Sequence, residues 1–157
     1  MQTFLPYNSF KESLHSLDYR RLGKQRVEAK QILNVLLDRT DTKGWRNHPI
    51  TKMWSGYEDA LKMYFNLCVE EWVGRGYNNT MVLEDVPGWG KIKYPDWLGN
   101  DLIHSSHRAN LLRKDKEFYS KFLWNEDSSN PYCWFDTDKE QWYKQHVGTG
   151  IREYIKW

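Results

Sequence analysis

A charged row runs along one side of the first strongly helical segment of this 157-residue chain. Arg21, Lys24, Glu28 and Gln31 follow one another at intervals of three, four and three residues, so in a helix their side chains point the same way. Guanidinium and ammonium groups bind phosphates, and a carboxylate beside them can accept a proton or stabilise a developing cation. The alternative is a solvated helix face on which Glu28 is simply the i, i+4 partner of Lys24.

Positive charge is concentrated in two segments of a chain whose net charge is only +2. Such a concentration indicates a surface that faces phosphates, and the alternative is two ordinary solvated helix faces. In segment 16–30 the basic residues Arg20, Arg21, Lys24, Arg26 and Lys30 stand against Asp18 and Glu28. In segment 105–121 the basic residues Arg108, Arg113, Lys114, Lys116 and Lys121 stand against Asp115 and Glu117.

Two histidines raise the question of a metal site. His104 and His107, with Asp101 upstream, have a spacing that metal ligands can adopt, but no further ligand cluster or cysteine pair supports them. We therefore predict no metal and no organic cofactor. His107 is either a hydrogen-bonding residue near a catalytic cleft or a structural residue at a helix start. His48, before a proline, is either a buried hydrogen-bonding residue or part of the site.

Three periodic segments must position these groups. The apolar spacing predicts helices over about 17–38, from residue 50 or 57 to 73, and over about 105–123, with Ser16 as a plausible N-cap of the first. Segment 77–101, which is rich in glycine and proline, is predicted to be a long loop. The expected fold is therefore all-α: one compact domain over residues 1–157, with three main helices and long aromatic-rich loops.

Gly23 lies inside the first helix, where a glycine costs about 1 kcal/mol relative to alanine. Its presence indicates a close approach by another group.

Aromatic residues make up 16% of the chain, with nine tryptophans. We expect Trp45, Trp54 and Trp89 to be core residues rather than base-stacking platforms. Contact with an unpaired base is better assigned to the aromatic tail, which includes Trp134, Trp142, Tyr143 and Trp157.

Other classes of protein are disfavoured by the sequence. No apolar run approaches the roughly 18 residues needed to span a bilayer, and residues 1–10 do not resemble a secretory signal. Cys68 and Cys133 are far apart and have no CxxC spacing, which favours two reduced thiols. The expected location is the cytoplasm, that of the host cell if the protein is viral, and the expected state is a monomer.

Several short motifs, in order, resemble the pyrimidine-dimer DNA glycosylase family of the phage endonuclease V type, in a divergent branch. Tyr-Arg-Arg-Leu-Gly-Lys at 19–24 is similar to the family's Tyr-Arg-Glu-Leu-Pro-Arg, and Arg-Gly-Tyr-Asn at 75–78 to its Arg-Gly-Phe-Asn. Between them stand His-Pro at 48–49 and Met-Trp-Ser-Gly-Tyr at 53–57. Leu-Pro-Tyr at 5–7, Lys-Gln-Arg-Val-Glu at 24–28 and the block 104–115 resemble the same branch, so the resemblance covers about residues 1–124.

The resemblance implies an all-helical, DNA-bending repair enzyme that acts on duplex DNA at a pyrimidine dimer without a cofactor. It implies cleavage of a glycosidic bond by the α-amino group of the chain's own N-terminus, then β-elimination at the abasic site. An α-amine, with an ordinary pKa near 7.7–8.0 against about 10.4 for lysine, is more often unprotonated at neutral pH. The covalent Schiff base that results divides one difficult step into easier ones.

Two positions depart from the family pattern. The family's catalytic glutamate corresponds to Arg21, which cannot stabilise a positive charge, so the nearest substitute is Glu28 and the second choice Asp18. The family's amine belongs to a threonine exposed by removal of the initiator Met. Here Gln2 disfavours that removal, and the amine would belong to Met1, displaced by one or two residues. An extended residue spans about 3.5 Å, so a modest shift compensates.

The resulting assignment places Met1, Glu28, Arg21 and His107 in the catalytic group. The DNA-binding residues are expected to be Arg20, Lys24, Arg26, His48, Arg108, Asn110, Arg113 and Lys114. Three other functions remain open at this point: a glycosylase for another modified pyrimidine, a catalytically inactive DNA-binding protein of the same fold, and a structural or interaction protein.

Overall fold

The computed structural model describes residues 1–41, 44–88 and 90–156, so Trp89 and Trp157 lie outside the described residues. Helices and strands follow one another along the chain. The helices are α1 (Phe10–Ser16), α2 (Tyr19–Leu36), α3 (Pro49–Trp54), α4 (Glu58–Gly74), α5 (Asp101–Lys114) and α6 (Lys116–Tyr119), which continues into a 3₁₀ turn at Ser120–Phe122. The strands are β1 (Tyr132–Asp136), β2 (Gln141–Gln145) and β3 (Arg152–Tyr154).

The core lies between the two long helices α2 and α4. On α2 the predicted apolar stripe is buried, with Leu22, Ala29 and Ile32 fully covered. Leu61 and Phe65 are equally covered on α4. Helix formation on both segments is therefore driven by one apolar face rather than by local propensity alone. Their packing leaves the charged row of α2 along the edge of this core, where its members are half-buried or exposed.

The all-α prediction was wrong, because the C-terminal part forms a three-stranded antiparallel sheet with the order β1-β2-β3. Trp134 lies opposite Tyr143, and Phe135 opposite Trp142. Aromatic residues fit the pleated surface of a strand, and cross-strand aromatic pairs stabilise it. The turn between β1 and β2 closes at Glu140, whose φ is 53°. The sheet is part of the core, since β1 packs against α3 and α5.

The helix boundaries also differ from the prediction. Ser16 ends α1, and the N-cap position of α2 is Asp18. The second predicted helix is two helices, because the chain turns at Gly56, whose φ of +88° favours glycine. The third begins earlier, where the side chain of Asn100 accepts a hydrogen bond from Leu102 N, and it breaks at Asp115.

Other features agree with the sequence. Residues 77–88 and 90–100 contain no helix or strand and form the predicted loop, which is anchored where Trp97 Nε1 donates to the Met53 carbonyl over 2.8 Å. Cys68 and Cys133 are free, buried thiols. Within the described ranges, no helix has the length and apolarity that crossing a membrane requires.

Candidate active site

The N-terminal strap, which we define as residues 1–6, runs through the protein interior instead of along its surface. Residues 2–6 are buried, and Met1 is half-buried. Because the strap belongs to no sheet, its backbone groups must find partners among side chains. Helix α2 provides one of them: Phe4 N donates to Gln25 Oε1 over 2.9 Å. Helix α4 provides another, the hydroxyl of Tyr64, which donates to the Phe4 carbonyl over 2.9 Å.

Helix α5 holds the other end of the strap. Leu5 N donates to His107 Nδ1 over 2.8 Å, and His104 Nδ1 lies 2.7 Å from the Leu5 carbonyl. His104 Nε2 accepts from Gly99 N, so its Nδ1 carries the proton and donates. Burial lowers the pKa of His107 to about 3, which keeps Nδ1 available as an acceptor. Both histidines therefore fix the strap, and Arg108 Nη1 adds a bond to the Pro6 carbonyl over 2.8 Å.

The N-terminal cavity, with a volume of about 670 Å³, opens where the strap meets the charged row of α2. At its inner end Glu28 Oε2 accepts from Gln2 N over 3.3 Å. The first peptide group of the chain therefore contacts the carboxylate, which places Met1 next to Glu28. The cavity is lined by Met1, Gln2, Phe4, Arg20, Arg21, Lys24, Gln25, Glu28, Lys114 and Tyr132.

Four basic side chains, which we call the cationic rim, surround this cavity: Arg20, Arg21, Lys24 and Lys114. Arg21 Nη1 lies 3.2 Å from Asp18 Oδ2, and the buried Asp18 also accepts from the hydroxyl of Tyr119. Partial desolvation and then the charge of Arg21 lower the pKa of Lys114, so the cations are close enough to repel one another. A polyanion bound at the rim would relieve this repulsion.

The other predicted DNA-binding residues on α2 and α3 lie outside the cavity lining. Arg26 donates to Asn79 Oδ1 over 2.6 Å, and its guanidinium lies 4.4 Å from the centroid of the Trp72 ring. His48 accepts from Ile50 N at the start of α3. Burial, and secondly the charge of the N-terminal amino group, lower the pKa of His48 to about 4. His48 is therefore within electrostatic reach of the amine.

The predicted DNA-binding residues on α5, Lys114 excepted, contact other parts of the protein. Arg108 Nε lies 2.7 Å from Glu126 Oε1. Arg113 donates to the carbonyl of Asn130 over 3.3 Å and to the side chain of the buried Asn110. These side chains fasten α5 to the segment before β1.

The tryptophan predictions have mixed outcomes. Trp54 is a core residue, as expected, and its Nε1 donates to Thr3 Oγ1 over 3.0 Å. Trp45 was predicted to be core and is exposed. The tail residues Trp134, Trp142 and Tyr143 were expected to contact a base, but they are buried in the sheet and line no part of the N-terminal cavity.

Gln25, Tyr64 and Tyr132 were not singled out from the sequence as site residues. Gln25 is a polar residue on the apolar stripe of α2, and that position was a usable signal, because a buried amide needs partners. Tyr64 is a fully buried residue of α4, where only its hydroxyl distinguishes it from phenylalanine. Tyr132 belongs to the aromatic tail that was expected to contact a base, and it lines the cavity from β1, a strand that was not predicted.

In the described part of the chain, no group of three or more His, Cys, Asp and Glu side chains is placed to hold a metal ion. His104 donates and accepts within the protein through its two ring nitrogens, which leaves neither for a metal. The ionisable groups that line the cavity are those of the N-terminal residue, one glutamate, four basic side chains and Tyr132.

A protein-family model described as pyrimidine dimer DNA glycosylase matches residues 1–85. This span contains the strap, the charged row of α2 and helix α4, and it ends before α5 and the sheet. No curated protein and no solved structure gives a match.

Proposed function

From the premise that this chain belongs to the pyrimidine dimer DNA glycosylase family, we propose that it is a glycosylase with abasic-site lyase activity that acts on pyrimidine dimers in duplex DNA. Membership of the family makes it a DNA repair glycosylase. The substrate lesion, the lyase step and the use of the N-terminal amine are the proposal. It is expected to work as a monomer and without a cofactor.

One observation carries this proposal: Met1 and Glu28 line the same cavity, beneath four cations. An amine is a nucleophile and a carboxylate a proton carrier, so the pair has the components of a Schiff-base mechanism. The cations fit the phosphates that flank a damaged nucleotide. Asp18, the other carboxylate considered, is engaged by Tyr119 and Arg21 and lies outside the cavity lining, which favours Glu28.

The proposed reaction begins with attack of the uncharged α-amine on C1′ of the damaged nucleotide. The N–C1′ bond forms as the glycosidic bond breaks, and the base leaves with the electron pair. Glu28 carries a proton from the attacking nitrogen towards the base and stabilises the positive charge on the sugar. The C1′–O4′ bond then opens to give a protonated Schiff base, with O4′ taking up a proton. Loss of a proton from C2′ expels the 3′ phosphate, and water releases the amine.

Arg21 has a different task in this scheme from the glutamate that the family has at this position. Its guanidinium is held by Asp18 at the rim of the cavity, where it faces solvent on one side. We expect it to bind a phosphate and to oppose the developing negative charge of the departing 3′ phosphate. The basic residues Arg20, Lys24 and Lys114 position the strand in the same way.

Borohydride trapping tests the mechanism, because reduction of the Schiff base links enzyme and DNA permanently. The wild-type protein is expected to be trapped on duplex DNA with a pyrimidine dimer, and mass spectrometry of the linked peptide should locate the bond at the Met1 nitrogen. For Glu28→Gln we expect trapping to slow by about 100-fold or more, the usual contribution of a proton carrier. DNA affinity should be retained, since the rim is intact.

The matched control is Glu70→Gln, an exposed carboxylate on α4, which should trap at the wild-type rate. A bond to a lysine, or equal trapping by Glu28→Gln and the wild type, would contradict the proposed mechanism. DNA binding without trapping on any substrate would instead identify an inactive DNA-binding protein.

A glycosylase for a different modified pyrimidine is the second candidate, favoured by Arg21 at the position of the family's glutamate. A cation at the mouth of the cavity changes which base or sugar substituents are admitted. The same trapping measurement, run on duplexes that carry other modified pyrimidines, separates the two: the preferred lesion gives the fastest trapping.

A further inference from the structure

Gln25 is a polar residue in an apolar place. Its side chain is 1% exposed and lies on the buried stripe of α2 between Leu22 and Ala29, both fully covered. Burial of an amide costs roughly 2 kcal/mol or more unless its donors and acceptor are satisfied. Hydrogen bonds must therefore stabilise the buried amide of Gln25, and the partners in these bonds indicate its role.

The acceptor oxygen of Gln25 receives bonds from two directions. Phe4 N donates to Oε1 over 2.9 Å, and the single hydroxyl proton of Tyr64 is shared between Oε1, which is 2.7 Å away, and the Phe4 carbonyl, which is 2.9 Å away. Because a backbone N–H can only donate, it fixes which end of the amide is the oxygen. The nitrogen must then face the other way, and it does: Nε2 donates to Glu28 Oε2 over 3.3 Å. Burial raises the pKa of Tyr64, so its hydroxyl keeps its proton.

One amide thus links the two proposed reactive components. Through Phe4 it sets the register of the strap that carries Met1, and through Nε2 it holds one oxygen of Glu28. Gln2 N donates to the same Oε2. Among the described residues no hydrogen bond is made to the other oxygen, Oε1, so Glu28 can turn that oxygen towards a bound sugar.

We propose that Gln25 is a positioning residue that aligns the N-terminal amine with the Glu28 carboxylate for attack on the sugar. This inference rests on the proposed function, since alignment matters only if the two groups react together. Gln25 carries no charge and is not part of the cationic rim. Its substitution should therefore change the rate of the covalent step and not the affinity for DNA. Misplacement of reacting groups by about 1 Å can cost about 100-fold in rate.

The experiment compares single-turnover borohydride trapping by the wild type, Gln25→Met, Gln25→Glu and Gln141→Met across pH 5 to 9. The methionine at position 25 fills similar space without a donor or acceptor, and trapping should slow by about tenfold or more with DNA affinity within about twofold of the wild type. Gln141 is an exposed glutamine at the start of β2 that lines no part of the N-terminal cavity, so Gln141→Met is the matched control and should behave as the wild type.

Gln25→Glu gives a readout that a purely structural role would not change. Its carboxylate keeps an acceptor for Phe4 N and Tyr64 but places a second carboxylate against Glu28, and like charges at this distance favour retention of a proton. The acid limb of the pH–rate profile should therefore move up by about one pH unit, with partial recovery of rate at high pH. A structural defect alone would lower the rate evenly at all pH values.

The outcomes separate the two proposals. Absence of trapping by the wild type contradicts the proposed function and the role of Gln25 with it. Trapping by the wild type, with unchanged rates and an unchanged acid limb for both variants at position 25, contradicts the role of Gln25 alone. If Gln25→Met fails to fold by circular dichroism, the pH profile of Gln25→Glu decides: an unmoved acid limb overturns the inference.

Discussion

His107 contacts the strap that carries Met1, but it does not line the N-terminal cavity. The ring is fully buried on α5, and its Nδ1 accepts from Leu5 N over 2.8 Å. The sequence left open a residue near the cleft or a structural residue at a helix start. His107 lies in the middle of α5 and not at its start, and it binds the strap that leads to Met1 without lining the cavity. Its chemistry is that of a neutral acceptor, and protonation would remove the lone pair on which the strap depends.

Acid should therefore destabilise the protein through His107. Its pKa is lowered by burial to about 3 in the folded state, against an ordinary value of 6.5 in the unfolded chain. Below pH 6.5 the unfolded state binds more protons, so the stability contributed by the neutral ring is complete above that pH and is lost as the pH falls towards 3. The loss from this residue approaches roughly 1.4 kcal/mol per pH unit below the unfolded pKa.

The measurement is urea denaturation of the wild type and His107→Asn at pH 7 and pH 5. The Asn oxygen can still accept from Leu5 N but does not titrate, so this variant should lose less stability on acidification than the wild type. His15→Asn, which alters an exposed imidazole, is the control and should track the wild type. An equal acid-induced loss in wild type and His107→Asn would show that this ring does not drive the effect.

At the scale of elements, the apolar period of the sequence predicted the helices that bury one apolar face. It did not predict the helix breaks, which depend on local turns, or the strands. Helix α2 spans Tyr19–Leu36, within two residues of the expected 17–38 at either end. The break at Gly56 and the kinked end of α5 at Asp115 depend on local turns, which periodicity does not register. The sheet was missed because alternating aromatic residues were interpreted as surface groups for base contact, although aromatic residues also favour strands.

Gly23 was expected to mark a close approach, and the structure identifies the approaching group. A Cβ added there would lie 3.1 Å from two carbons of the Trp72 ring. This ring cannot move freely, since Tyr77 stacks on it at 4.3 Å between centroids and Arg26 lies over it. The glycine therefore lets α4 and the following loop pack closely against α2, next to the charged row.

Gly23→Ala should for this reason fail to give the stability that alanine normally brings to a helix, about 1 kcal/mol. Gly74→Ala is the comparison, because Gly74 is also helical and a Cβ there meets nothing within 4 Å. Urea denaturation should show a gain for Gly74→Ala and a free energy of unfolding at least about 1 kcal/mol lower for Gly23→Ala than for that variant. Equal gains at the two positions would mean that Trp72 yields without cost.

At the scale of the whole molecule, charge counting selected more cations than line the N-terminal cavity. Both basic segments have a local excess of positive charge, yet only one cation of α5, Lys114, lines the N-terminal cavity. Arg108 and Arg113 are used to fasten α5 to neighbouring segments. A sequence does not reveal which cations are engaged by carboxylates or carbonyls far along the chain. Arg20, Lys24 and Glu28, which the sequence placed on the first helix, line one cavity together with Met1, which the family resemblance selected.

Some cations line the N-terminal cavity and others are bound within the protein. The two groups should therefore contribute differently to the salt dependence of DNA affinity. Each phosphate contact that is lost lowers the slope of log K against log salt concentration by about 0.9. Arg20→Gln and Lys24→Gln should each reduce the slope by about that amount, whereas Arg26→Gln should leave it nearly unchanged, because Arg26 is bound to Asn79 and stacked on Trp72. Fluorescence anisotropy with undamaged duplex between about 50 and 200 mM salt measures the slopes.

A control must remove one positive charge elsewhere, so that the effect of net charge is separated from that of contact. Lys11→Gln serves, because Lys11 is exposed on α1 and borders a depression that it shares with Glu70 and Glu71, where acidic groups disfavour phosphates. Its slope should equal that of the wild type. If Lys11→Gln and Lys24→Gln reduced the slope equally, DNA would be responding to the overall charge of the protein, and the cationic rim would have no special part in holding the strand over Met1 and Glu28.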